Sequence, residues 1–456
     1  MRKIGALWVA LAGLLGCHYA FARPIADSNL TREAEALIRP IVQADQFSGT
    51  VLVARNGVAV FRQAYGLANR ELNVKNTIAS KYRIGSITKQ FTAVAILQLQ
   101  DAGKLSVDDP VGKFYADAPP SWNGITLRNL LTHTSGIPNY NDGPEFFKQS
   151  RLDRTPTEII KAIEDRPLDY VPGSKFVYDN TGYIILGYII EKVSGENYAD
   201  YVQHHILDPL GMRASGYDSS DMIIPDRSAG YHFAKGKYSN APFYSTTQVF
   251  SAGGLYSTVD DLIIWDKALD AGKLLSPSSM QGMFTDYGHG YGFGWFIDEE
   301  FGHQHLSHGG SVSGFLGRFD WYPKDKLTVI VLSNEDTAPV GHIADDLAAI
   351  YLNIPPRRPV PAGEALIRRT IEALRAGTPN YQDMGPQMAQ ATRTHIAGLE
   401  KVMSDLGPVN AVTLLEAEPE GLDRYRVNFQ NGTAEWNIRV NKDGTLNVYP
   451  TVFPAS

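Results

Sequence analysis

The chain carries a single cysteine, Cys17, among 456 residues. A disulfide framework and a paired-cysteine zinc site are therefore excluded. Basic clusters are also missing. Lysine and arginine total 42 against 49 acidic residues, a formal net charge of −7. No Lys/Arg run is large enough to grip a nucleic-acid backbone. Past the first residues no apolar run is long enough to span a bilayer, and internal repeats and low-complexity tracts are absent. What is present is ordinary for a folded chain, with 43% apolar and 20% charged residues. The length exceeds one typical domain and predicts two or three.

Residues 1–22 read as a signal peptide rather than part of the fold. Arg2 and Lys3 precede an apolar stretch from Ile4 to Gly16, and Ala20-Phe21-Ala22 offers a small-residue cleavage site. Export, into a periplasm, follows. An alternative stays open at this point: Leu14-Leu15-Gly16-Cys17 resembles a bacterial lipoprotein box, which would anchor the chain by lipid on Cys17.

Two β-rich runs between Phe47 and Val60 flank Asn56-Gly57, a strong hairpin pair. From Ile87 to Leu99 the apolar residues Ile87, Phe91, Val94, Ala95 and Leu99 fall on one helical face. Residues 104–177 are rich in proline and loops, with short helices expected near 127–132 and 156–165. A helix from 181 to 193 should end at Ser194-Gly195. Another should open at Ser257 as N-cap and run to Leu269. Strands at 315–322 and 327–333 and a helix over 338–351 complete a unit spanning 27–353. That order suits one antiparallel sheet packed against helices. A stiff proline-rich linker occupies 354–363. Residues 364–456 then read as a small α+β domain of two helices and three or four strands, with turns at Asn431-Gly432 and Asp443-Gly444.

The chemistry gathers in three patches. Ser86 precedes Lys89 by three residues, which places both on one helical face. A serine hydroxyl needs an adjacent base, and a lysine in a dry cleft can lose enough pKa to be one. The helix start adds free N–H groups for a developing oxyanion. Tyr178-Asp179-Asn180 follows, where the phenol can relay a proton and the amide can hold Lys89 or a substrate carbonyl. The third patch is His308-Gly309-Gly310-Ser311, whose glycines admit a substrate backbone. There His308 could hold an acyl substrate by hydrogen bond or charge. His303, His305 and His308 also raise a zinc question, but no carboxylate stands in obvious register, so no metal is expected. His133 and Ser135 read as parts of a turn, not as a catalytic pair.

Ser86-Ile87-Thr88-Lys89, Tyr178-Asp179-Asn180 and His308-Gly309-Gly310 resemble the three ordered motifs of the penicillin-recognising serine hydrolases. That superfamily includes class C β-lactamases, D,D-peptidases, D-aminopeptidases and related esterases. Supporting stretches are Leu130 to Pro138, Ser251 to Thr258 and Tyr291-Gly292-Phe293-Gly294-Trp295. The resemblance implies an α/β fold of β-lactamase/transpeptidase type, an antiparallel sheet flanked by helices plus an all-helical region, with Ser86 between them.

It further implies that Ser86 is the acylated nucleophile and that Lys89 and Tyr178 share the base and proton-shuttle roles. Asn180, His308, Gly310 and Ser311 would bind substrate, and the backbone N–H groups of Ser86 and Ser311 would form the oxyanion hole. His308 stands where β-lactamases usually keep a lysine. Histidine is mostly neutral at pH 7, so an amide, peptide or ester substrate fits better than efficient β-lactam hydrolysis. β-Lactamase activity, or slow acylation without turnover in a penicillin-binding or sensing protein, remains the alternative. The expected partner is a small-molecule or short-peptide substrate, with no cofactor required. The C-terminal region resembles the small cone-shaped domains appended to some of these hydrolases, and would cap the cleft or support a homodimer.

Overall fold

A computed structural model describes residues 28–142, 144–234, 237–354, 360–381, 384–417, 422–440 and 446–450. The expected signal peptide, Cys17 and half of the proline-rich linker lie outside the described residues. The elements used below are α1 (Ser28–Gln43), β1 (Gly49–Arg55), β2 (Val58–Tyr65), α2 (Thr88–Asp101), α3 (Thr181–Ser194), α4 (Val259–Asp270), β3 (Phe296–Glu300), β4 (His303–Val312), β5 (Phe315–Tyr322), β6 (Leu327–Ser333) and α5 (Val340–Leu352). Beyond them come α6 (Gly363–Arg375), α7 (Pro386–Leu406), β7 (Val409–Ala417), β8 (Leu422–Phe429), β9 (Gly432–Val440) and β10 (Leu446–Pro450).

Six strands form one antiparallel sheet in the order β3-β4-β5-β6-β1-β2. The first and last strands of the unit therefore pair, Gly49 opposite Ser333 and Arg55 opposite Leu327. Strands β1 and β6 lack polar alternation because both of their faces are covered. Val51, Val53, Val329 and Val331 pack with Ala34 and Ile38 of α1 and Ile343 and Leu347 of α5. Leu52, Ala54, Ile330 and Leu332 point the other way, into a larger core with α2, α3 and α4. The β1–β2 hairpin turns at Asn56 (φ 51°) and Gly57 (φ 67°), the left-handed pair that Asn-Gly favours.

Helix α2 departs from the one-sided pattern expected of it. The polar residues of its first turns, Thr88, Lys89, Gln90 and Thr92, are buried along with the apolar ones. The Gln90 side-chain carbonyl accepts from Trp265 Nε1 at 2.8 Å, and Thr92 Oγ1 donates to the Ser251 carbonyl at 2.7 Å. The helix is a central post between sheet and helical region. Helix α4 starts one residue later than expected. Thr258, not Ser257, caps it by accepting from the Asp261 amide at 3.2 Å, while the Ser257 hydroxyl pairs with that of Ser215.

The C-terminal region has its own four-stranded antiparallel sheet, β7-β8-β9-β10. Ile367, Ile371, Met403, Val427, Trp436 and Ile438 form a separate core beneath α6 and α7. A cleft of about 620 Å³ runs between this unit and α1 and α5, lined by Leu37, Ile41 and His342 on one side and Leu415, Arg424 and Arg426 on the other. The unit thus sits behind the main sheet, on the side away from Ser86.

Candidate active site

Ser86 lies in a single 3-10 turn, Gly85–Ile87, immediately before α2. It is not a capping serine: neither the turn nor α2 has a side-chain cap. Two glycines bring this turn against β4. Gly85 has φ of 51°, and a Cβ there would lie 2.6 Å from the Ser311 amide nitrogen. A Cβ on Gly310 would overlap the Ile84 carbonyl. Strand β3 pairs with β4 only as far as Ser307, so 308–312 present a free edge beside Ser86. The turn that carries Ser86 is thereby packed against Gly310 and Ser311 on that edge.

Lys89 is fully buried. Its Nζ lies 3.1 Å from Ser86 Oγ, 2.8 Å from Asn180 Oδ1 and 3.0 Å from the Ala252 carbonyl. Burial lowers its pKa to about 7, against a smaller opposing pull from Asp179. Asn180 occupies the N-cap position of α3 without capping it, because its side chain is committed elsewhere. Its carbonyl takes Lys89 and its amide nitrogen donates to Asn141 Oδ1 at 3.2 Å. The Tyr178 hydroxyl faces Ser86; burial raises its pKa, so it stays a neutral phenol.

His308 is buried, and both ring nitrogens are used. Nδ1 lies 2.6 Å from the Gly309 carbonyl, so it carries the proton and donates. Nε2 then accepts from the Tyr291 hydroxyl, 3.0 Å away. Burial, followed by the charge on Lys89, lowers its pKa to about 3. The expectation that His308 holds a substrate by charge or hydrogen bond does not fit this arrangement: the ring is neutral and has no N–H to spare.

A family model, Beta-lactamase, matches residues 34–353. The chain belongs to the beta-lactamase family. Within it, PbpX of Bacillus subtilis strain 168 is 34% identical over 299 residues, covering 65% of this chain and 73% of PbpX. The octameric penicillin-binding protein homologue from Pyrococcus abyssi is 27% identical with a TM-score of 0.65, over 92% of this chain and 90% of that one. A D-stereospecific amidohydrolase from a Streptomyces species is 28% identical with a TM-score of 0.61, over 72% of this chain and all of the other. This beta-lactamase-family protein is a serine hydrolase with a mixed α/β fold of antiparallel sheet and helices.

Several site groups of this family member escaped residue-by-residue reading. Tyr291 and Ala252 both lie in stretches that carried the family resemblance, yet nothing in those stretches assigns the bond to His308 or the carbonyl under Lys89. His133 lies under Tyr178, ring centroids 4.4 Å apart, and takes the Asp179 amide on Nδ1 at 3.2 Å. With Gly136 at φ 76° and Ser135 Oγ accepting from the Ile137 amide, this is a turn that supports Tyr178. His303 pairs with Asp325 and His305 with Asp298 and Asp320. Among the described residues no group of three His, Cys, Asp or Glu could hold a metal ion, and no helix is long and apolar enough to cross a membrane.

Proposed function

We propose that this enzyme cleaves an amide, peptide or ester bond through an acyl-enzyme on Ser86. The observation that carries the reading is a fully buried Lys89, its pKa lowered to about 7, with Nζ 3.1 Å from Ser86 Oγ. Near neutral pH about half of such lysines are free base, the condition under which a general base is most effective. Lys89 takes the Ser86 proton as Oγ attacks the carbonyl carbon. The oxyanion is held by the backbone N–H groups of Ser86 and Ser311. Tyr178, a neutral phenol, gives its proton to the leaving nitrogen or oxygen and takes in its place the proton that Lys89 received from Ser86, and Asn180 keeps Lys89 in line. Water then attacks the acyl-enzyme by the reverse proton path.

The neutral His308 supports peptidase or esterase activity over efficient β-lactam hydrolysis, since it offers no charge to a lactam carboxylate. The basic and apolar residues before Ala22 support export to the periplasm. We read the mature chain as a hydrolase domain at 27–353, a linker at 354–363 and an appended domain at 364–456.

The test is intact-protein mass spectrometry on wild type and Ser86→Ala, incubated with a fluorophosphonate, a p-nitrophenyl ester, a D-alanyl amide and a chromogenic cephalosporin. A Ser86-dependent adduct with ester or amide product is expected, and Ser86→Ala loses all of it. Turnover that survives in Ser86→Ala overturns the assignment. A stable cephalosporin adduct without product moves the reading to a slow penicillin-binding protein.

A further inference from the structure

A second cavity, of about 250 Å³, opens where β4 ends. Arg83, three residues before Ser86, and Ser313, two residues after Ser311, both line it, facing Arg227, Phe243 and Phe315. Two residues of extended chain span about 6.6 Å, so the cavity begins one short acyl chain away from the oxyanion site. Its side of the scissile bond follows from the proton path. Tyr178 and His308 lie together at the other end of the free edge, ring centroids 6.1 Å apart. The leaving group takes its proton there, so the acyl half points toward Ser313.

The cavity wall holds two cations around one anion. Asp218 is buried and takes Arg83 Nε on Oδ2 at 2.5 Å and Arg227 Nη1 on Oδ1 at 2.7 Å. Arg227 Nη1 also reaches the Ser219 carbonyl at 3.1 Å. These bonds use Nε of one guanidinium and Nη1 of the other. Both side chains remain partly open, 19% and 30% exposed, whereas Asp218 is 1% exposed. The trio carries one net positive charge, and no carboxylate lines the cavity. The far wall is fixed: the Ser313 hydroxyl donates to the Pro242 carbonyl at 2.7 Å. Phe243 forms an exposed rim.

We propose that the Arg83–Asp218–Arg227 cavity is a subsite for a carboxylate on the acyl half of the substrate. The inference rests on acylation of Ser86. It names the substrate class as acyl groups ending in an acid, held by charge-assisted bonds from the free guanidinium N–H groups. The chain as a whole is negative, so long-range electrostatics favours a neutral substrate, and a preference for an acid has to arise locally.

The experiment compares p-nitrophenyl hydrogen pimelate with p-nitrophenyl methyl pimelate, using Ser86→Ala as the blank for spontaneous hydrolysis. Wild type should favour the acid by about tenfold in kcat/KM, the worth of one charge-assisted contact. Arg227→Gln should bring that ratio near one. Phe243→Asp, a change on the exposed rim that the fold tolerates, should lower it by about threefold. A wild-type ratio at or below one, or a ratio unmoved by both variants, overturns the subsite. Fluorophosphonate labelling of Ser86 in the same preparations separates the two failures: labelled enzyme without discrimination sinks the subsite alone, and unlabelled wild type sinks the acyl-enzyme reading with it.

Discussion

His305 and His308 stand three residues apart on β4, and burial opposes a charge on both. His308 follows burial and the nearby Lys89 down to about 3. His305 is pulled the other way. Asp298 and Asp320 lie 2.7 and 3.0 Å from its two nitrogens and Glu300 lies 3.6 Å from Nε2. Together they outweigh desolvation and raise its pKa to about 10. One strand thus carries a charged histidine and a neutral one at pH 7. Neither titrates near pH 7, which leaves Lys89 as the group beside Ser86 that does. What sets a histidine's charge is the sign of its neighbours, and the two faces of one strand can supply opposite signs.

The comparison breaks most severely at Asp320. It is fully buried and also pairs with Arg318 Nε at 2.7 Å. Asp320→Asn leaves the buried His305 and the partly exposed Arg318 short of an anion and should cost about 3–5 kcal/mol, read as a fall in the urea midpoint. A cost under about 1 kcal/mol would mean Glu300 alone can neutralise the cluster.

The next effect is a pH dependence. A histidine whose folded pKa is raised from 6.5 to about 10 adds stability that is complete below 6.5 and lost as pH rises through 10. Lys89, lowered to about 7, has the opposite sign and adds stability as pH rises from 7 to 10.5. The two slopes offset in wild type, so the measurement is the difference between wild type and His305→Gln. That difference should be largest at pH 6 and close by pH 10. A difference flat across this range removes the charge from His305.

Tyr291→Phe acts on the neutral partner. It frees Nε2 of His308 and should lower kcat/KM by about tenfold, roughly the worth of one buried hydrogen bond. The rising limb of the pH profile near 7 should stay in place, because it belongs to Lys89. A moved limb would show that His308 had gained a charge. The smallest effect is expected at Asp298, whose side chain is 61% exposed. Asp298→Asn should cost about 1 kcal/mol or less, and a larger loss would give this exposed carboxylate the weight assigned to Asp320.

The sheet order was partly legible. Strands β5 and β6 and the Asn56-Gly57 hairpin follow from β-rich runs and turn residues, and a continuous unit between them implied one sheet. Strands β3 and β4 were not legible as strands. His303 to Val312 alternates histidine, glycine and serine with few β-formers, and it is a strand because β5 pairs along it. At the site, spacing placed Ser86 beside Lys89, and the structure sets their side chains 3.1 Å apart. The third partner of Lys89, a backbone carbonyl at Ala252, leaves no trace in residue identity. Nor does the state of His308. Its pairing with Tyr291 depends on a loop returning to the sheet, and a neutral tautomer is fixed by partners rather than by position in a motif.

The pairing of β1 with β6 has a consequence in time. Ser333 Oγ donates to the Ser48 carbonyl across 285 positions of the chain. Strand β1 waits for that partner. At ordinary elongation rates the ribosome needs about 15 to 60 s to supply it, and non-local pairing of this kind is slow to form even then. Until then one edge of β1 has no strand partner, and a nascent chain stopped before residue 327 has nothing to close its sheet. The sheet of the hydrolase therefore closes late, after α1 to α4 have been made.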